Sequence, residues 1–128
     1  MRKRTGGVVL ALAASALALG LVPLAGAGLA RQDATTATIV TVKAGAPSIF
    51  AFTLSTRILA KPGKVTFVVK NVGKLAHDFK INGKKTPLVQ PGKTATLVVV
   101  FKKKGKYPYL CTVPGHAAAG MKGIFIVK

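Results

Sequence analysis

The chain has one cysteine, two histidines and two methionines, and apart from Met1 all of these fall into one pattern. Cys111, His116 and Met121 share the run Tyr107-Pro-Tyr-Leu-Cys111-Thr-Val-Pro-Gly-His116-Ala-Ala-Ala-Gly-Met121, spaced Cys-x4-His-x4-Met. The second histidine, His77, comes from a separate stretch. Two imidazoles, a thiolate and a weak axial thioether make the ligand set of a blue (type 1) copper site. Thiolate and thioether favour Cu(I), whereas imidazole suits both oxidation states. A near-trigonal set satisfies neither state's extreme preference, so the site rearranges little when an electron arrives.

Each residue alone has a plainer reading. His77 could be a hydrogen-bonded core histidine and His116 an ordinary loop residue. Met121 could be core filler. Cys111 could be a buried small hydrophobe, a free thiol or half of an intermolecular bridge. Their joint placement favours one metal centre. No internal disulfide competes for Cys111, because it is the only cysteine.

The elements that must bring these residues together read as strands. Thr38–Lys43 is β-branched and partly alternating. Ser48–Leu54 puts Phe50, Phe52 and Leu54 on one face, and Lys64–Val72 does the same with Val65, Phe67 and Val69. Ala76–Ile81 puts His77, Phe79 and Ile81 on one face, with Asp78 and Lys80 on the other. Thr94–Lys102 aligns Ala95, Leu97, Val99 and Phe101, Tyr107, Tyr109 and Cys111 share a face, and Lys122–Lys128 is a last strand. Such period-two patterns are the strand signature. Pro62-Gly63, Pro91-Gly92, Asn82-Gly83 and Lys103-Lys104-Gly105-Lys106 supply the turns. The expected fold class is all-β: a two-sheet antiparallel Greek-key β-sandwich of seven to eight strands.

The first thirty residues differ from the rest. Arg2, Lys3 and Arg4 precede an uncharged stretch from Thr5 to Ala30, which ends in small residues with Ala25-x-Ala27 near the close. This is the pattern of a secretory signal, expected to be cut after Ala27 or Ala30. The alternative is an uncleaved membrane anchor, since the stretch is long enough to span a bilayer. Either way the remainder is expected outside the cytoplasm, on the periplasmic or extracellular side. The domain plan is residues 1–30 as signal or anchor, 31–37 as lead-in and 38–128 as the copper domain.

Charge is extreme, with 20 basic against 2 acidic side chains and a net +18. Such a field attracts anionic partners: acidic redox proteins or an anionic envelope surface. Simple solvation of strand faces is the blander account of most lysines. The cations are scattered, and no nucleic-acid motif accompanies them, so specific nucleic-acid recognition is not expected. A monomer is expected.

The Tyr-x-Cys-Thr-Val-Pro-Gly-His-x3-Gly-Met segment resembles the cupredoxins, the small blue-copper proteins that include plastocyanin, azurin, amicyanin and auracyanin. The resemblance extends over residues 36–128, and the spacing looks more like auracyanin than plastocyanin. It implies a cupredoxin-like sandwich, with His77 and His116 binding through Nδ1, Cys111 through sulfur and Met121 at longer range. Many members carry Asn after the first histidine, where this chain has Asp78. The resemblance implies that the backbone amide of that residue donates to the thiolate. Its side chain would tie to the cysteine loop, a role Asp78 could keep by accepting from Thr112; the alternative is an exposed carboxylate among lysines. The resemblance also implies a His116 edge exposed in an uncharged patch, where partners dock. The alternative for Ala117-Ala118-Ala119 is plain loop filler.

Two functions remain in view: an exported electron carrier cycling Cu(II)/Cu(I) between redox partners, and an extracytoplasmic copper storage or delivery module. A metal-free structural sandwich is a third, weaker reading. Catalysis is not expected, because four protein ligands leave no position for substrate.

Overall fold

The computed structural model describes residues 37–128, which form nine strands. In chain order they are β1 (Thr38–Ala44), β2 (Phe52–Leu54), β3 (Ile58–Leu59), β4 (Gly63–Asn71), β5 (Lys80–Ile81), β6 (Lys84–Lys85), β7 (Thr94–Phe101), β8 (Gly105–Leu110) and β9 (Lys122–Val127). One sheet has the order β2-β1-β4-β7 and the other β3-β9-β8-β5-β6. The expected leader and its boundary at residue 30 lie outside the described residues. Among the described residues, no helix is long and apolar enough to cross a membrane.

Alternation decides which faces meet. Val40, Val42 and Ala44 of β1, Val65, Phe67 and Val69 of β4, and Val99 and Phe101 of β7 turn inward. Ile81, Tyr109, Phe125 and Val127 meet them from the second sheet, together with Phe79 just before β5. Phe67 sits at the centre, with ring centroids 5.2 Å from Phe79 and 5.4 Å from Phe125. Aromatic rings offset in this way bury large apolar areas and add edge-to-face attraction.

The sandwich and its strand character agree with the sequence reading, but the sheets are not wholly antiparallel. β1 runs parallel to β4 over its full length, and β3 parallel to β9. Period-two alternation is the same in both kinds of pairing, so the sequence pattern could not distinguish them. The cause is the long excursion from Gly45 to Pro62, which passes through β2 and β3. Parallel neighbours need a crossover of that size. There are also nine strands rather than seven or eight, because three of them are only two residues long.

The stretch Ala76–Ile81 is a strand only at Lys80–Ile81. His77 joins Val89 through an isolated bridge, with N–H···O bonds of 3.1 and 2.7 Å. Alternation breaks here: His77, Asp78 and Phe79 are all buried. The loop is organised by Asn71, a buried residue that sequence reading did not single out. Its side-chain amide donates to the carbonyls of Leu75 (2.7 Å) and Val89 (2.8 Å), and its Oδ1 accepts from the Gly73 N–H (2.9 Å). Asn71 thus clamps the loop that carries His77 to the segment that pairs with it. Replacing Asn71 by Ala is expected to cost about 2 kcal/mol, because the exposed loop groups rehydrate but the Val89 carbonyl loses a buried donor. Denaturant unfolding of the metal-free variant checks this, and an unchanged midpoint would show that the clamp is idle.

Candidate metal centre

Three loops at one end of the sandwich carry the site. β8 and β9 pair up to Leu110 opposite Lys122, and the Cys111 N–H adds one more rung by donating to the Met121 carbonyl at 3.1 Å. Cys111 and Met121 are therefore placed opposite each other at the strand ends, and both side chains are buried in the core cluster. Between them the chain makes tight turns. Pro114-Gly115 forms a turn closed by the His116 N–H donating to the Val113 carbonyl at 3.0 Å. Gly115 has φ 84°, the left-handed conformation that the second central residue of a type II turn requires. The Met121 N–H then donates to the His116 carbonyl at 3.1 Å, fixing the loop against its own histidine.

The side chains converge. The Nδ1 atoms of His77 and His116 are 3.1 Å apart, and the Cys111 sulfur lies 4.0 and 3.6 Å from them. A triangle with these sides is acute, so the point equidistant from its corners lies inside it. That point is about 2.1 Å from each donor, within the ~2.0–2.3 Å that imidazole nitrogen and thiolate sulfur keep from a zinc-sized ion. Both imidazoles present Nδ1, as the resemblance implied. The cluster is consistent with a type 1 copper site: two imidazole nitrogens and one soft thiolate within reach of a single first-row metal ion.

The surroundings support the donors. The backbone N–H groups of Asp78 and Val113 donate to the Cys111 sulfur. The Asp78 carboxylate accepts from the Thr112 N–H at 2.6 Å and from the Thr112 hydroxyl. Asp78 is therefore buried rather than exposed, and it fastens the His77 loop to the cysteine loop. Phe50, expected within a strand, instead precedes β2, and its ring centroid is 5.0 Å from that of His116. The His77 Nε2 is buried with no hydrogen-bond partner. It faces the place where Gly45 and Gly73 cross closely.

Burial lowers the His77 pKa below its ordinary 6.5; the facing His116 acts in the same direction and Asp78 opposes. Burial also raises the Cys111 thiol above its ordinary 9.0, against the two backbone hydrogen bonds. The metal-free protein therefore holds a neutral imidazole and a protonated thiol at neutral pH. The His77 contribution to stability is present above pH 6.5 and is lost as pH falls through the lowered value. The Cys111 contribution is present below pH 9.0 and is lost as pH rises through the raised value. These two groups place maximal stability of the metal-free protein between pH 6.5 and 9.0, which thermal melts across pH will test.

A family model for copper-binding proteins of the plastocyanin/azurin family matches residues 35–128. The chain belongs to this family. Among solved structures, the fold matches auracyanin B with a TM-score of 0.61 and 23% identity, covering 72% of this chain and 89% of that one. It also matches auracyanin A, a blue copper protein from Chloroflexus aurantiacus, with a TM-score of 0.60 and 18% identity, covering 71% of this chain and 98% of that one. At these identities the likeness establishes the fold. Two curated relatives are named copper-resistant cuproprotein CopI. The one from Vibrio cholerae is 35% identical, over 44% of this chain and 46% of its own length. The one from Pseudomonas aeruginosa is 44% identical, over 32% of this chain and 23% of its own length. The chain thus spans less than half the length of the curated relatives it matches.

Proposed function

We propose that His77, Cys111, His116 and Met121 would hold one copper ion, and that the protein is an exported electron carrier between redox partners. The observation that carries this reading is the acute triangle of two Nδ1 atoms and one sulfur, sized for a single ion. When bound, copper supplies a centre that accepts and returns one electron. The chain supplies geometry and surroundings. The strand ends and the Asp78–Thr112 tie hold the donors in place, so little has to move when the charge changes. Two backbone amides stabilise the sulfur's negative charge. The half-buried His116 ring, flanked by Pro114, Gly115 and Ala117, gives a short uncharged path from the site to solvent. An uncharged patch of this kind suits brief, weak encounters, and surrounding lysines would steer acidic partners in a salt-dependent way.

The name of the curated relatives favours one second reading, copper handling in resistance, in which redox change is incidental. Copper loading separates the two. An intense visible absorption band that bleaches on reduction and returns on oxidation supports the electron carrier. Colourless or Cu(I)-only binding supports storage or delivery.

A further inference from the structure

The polypeptide enters the sandwich at one end, and the metal centre lies at the other. Thr38 of β1 is opposite Val65 near the start of β4, and Gly63 is opposite Phe101 at the end of β7. The β7–β8 turn is at this same end, because Phe101 leads through residues 102–104 to Gly105. From Gly105 to Cys111 along β8 is about 20 Å at ~3.3 Å per residue.

Lysines gather at the entry end. Lys61 and Lys64 flank the start of β4, and Lys102, Lys103, Lys104 and Lys106 surround the β7–β8 turn, all exposed. Lys128 follows β9 there, its N–H donating to the Leu59 carbonyl at 2.9 Å. No carboxylate side chain offsets them. Asp78, the only one among the described residues, is buried at the other end against Thr112. At the metal end the loops 45–51, 87–90 and 113–121 carry no Lys, Arg, Asp or Glu, while Lys74 lies on the loop that leads to His77 and Lys43, Lys70, Lys93 and Lys122 lie at or beside the strand ends.

We propose that the lysine end is a docking surface for an anionic phospholipid bilayer, which holds the domain with its metal end facing outward. Three observations favour a bilayer. The cations are lysines, compact charges on flexible stems that meet many phosphates without a fixed geometry, and three of them are consecutive on a hairpin tip. Ile58 and Val100 are 48% and 51% exposed at the same end, and apolar side chains among lysines suit the headgroup boundary. Finally, the segment that contains the uncharged stretch Thr5–Ala30 joins the sandwich at this end, through Thr38. The outward orientation rests on the copper reading for its purpose; the lipid binding does not.

The test is co-sedimentation of the full-length protein with vesicles of phosphatidylcholine alone and with added phosphatidylglycerol. The difference between the two isolates the charge-dependent part from any contribution of the apolar stretch. The triple variant Lys102→Gln, Lys103→Gln, Lys104→Gln is expected to lose about 100-fold of the phosphatidylglycerol-dependent binding, at roughly fivefold per lysine near an anionic leaflet. The triple variant Lys70→Gln, Lys74→Gln, Lys93→Gln removes equal charge from the metal end and is expected to lose less than tenfold. Equal losses in the two variants would reduce the effect to bulk charge and overturn the proposal. So would tighter binding to soluble poly-glutamate than to phosphatidylglycerol vesicles, which would point to an acidic protein partner. Metal-free and copper-loaded protein should bind vesicles equally, so failure of the copper assignment leaves this result readable.

Discussion

Replacing Cys111 by Ser is expected to abolish the visible band of the copper-loaded protein while leaving a folded sandwich. The band of such a centre needs a thiolate, which donates charge to Cu(II). A serine hydroxyl does not ionise at accessible pH and is a hard donor. The fold should survive because the change is nearly isosteric and the hydroxyl can still accept from the backbone N–H groups of Asp78 and Val113. Copper affinity should fall by more than the 10–100-fold typical of losing a supporting partner, with Cu(I) suffering most. Absorption spectroscopy and competition with a chelator measure both effects. Full colour in the serine variant would refute thiolate ligation. A metal-free melting temperature close to that of the parent would show that the loss is one of chemistry rather than folding.

What could be read in advance follows from how local each feature is. The Cys-x4-His-x4-Met run was legible because strand end, Pro-Gly turn and strand start are consecutive, so the chain itself sets the distances. The inward face of Val65, Phe67 and Val69 was legible because alternation registers burial directly. The parallel pairing of β1 and β4 was hidden, since direction depends on a crossover and leaves no mark on alternation. Phe50 looked like one more inward strand residue. Its contact with His116 depends on where the strand begins, the least local property of the pattern. Asn71 is hidden within a β-branched run, although Asn at a strand end two residues before Gly73 is a turn signal. Asp78 is legible in its chemistry but not in its burial, because period-two alternation through Ala76–Ile81 points it outward, whereas the strand starts only at Lys80.

Gly45 offers the second large effect. It follows β1 with φ 88°, a conformation that side chains with a Cβ rarely adopt. A Cβ there would lie 2.7 Å from the Gly73 Cα and 2.9 Å from the Gly73 N, both backbone atoms, and 3.5 Å from the His77 Nε2. Two loops therefore cross at glycine–glycine distance directly behind a proposed ligand, and Gly45→Ala must push one of them away. Left-handed strain costs ~1–2 kcal/mol and overpacking ~1–3 kcal/mol, so a loss of about 3 kcal/mol is expected. That should lower the melting temperature by roughly 12–24 °C in a domain of this size. Copper affinity should fall with it, since the displaced loop carries Gly73 and, after it, His77. Gly73→Ala makes the sharper comparison. Its Cβ would meet the Gly45 Cα at 3.0 Å, and Gly73 is not in the left-handed region. It should therefore destabilise clearly less. Equal losses would mean that the crossing distance alone matters. No loss in Gly45→Ala would mean that the loops part freely and that the wall behind His77 is not what positions it.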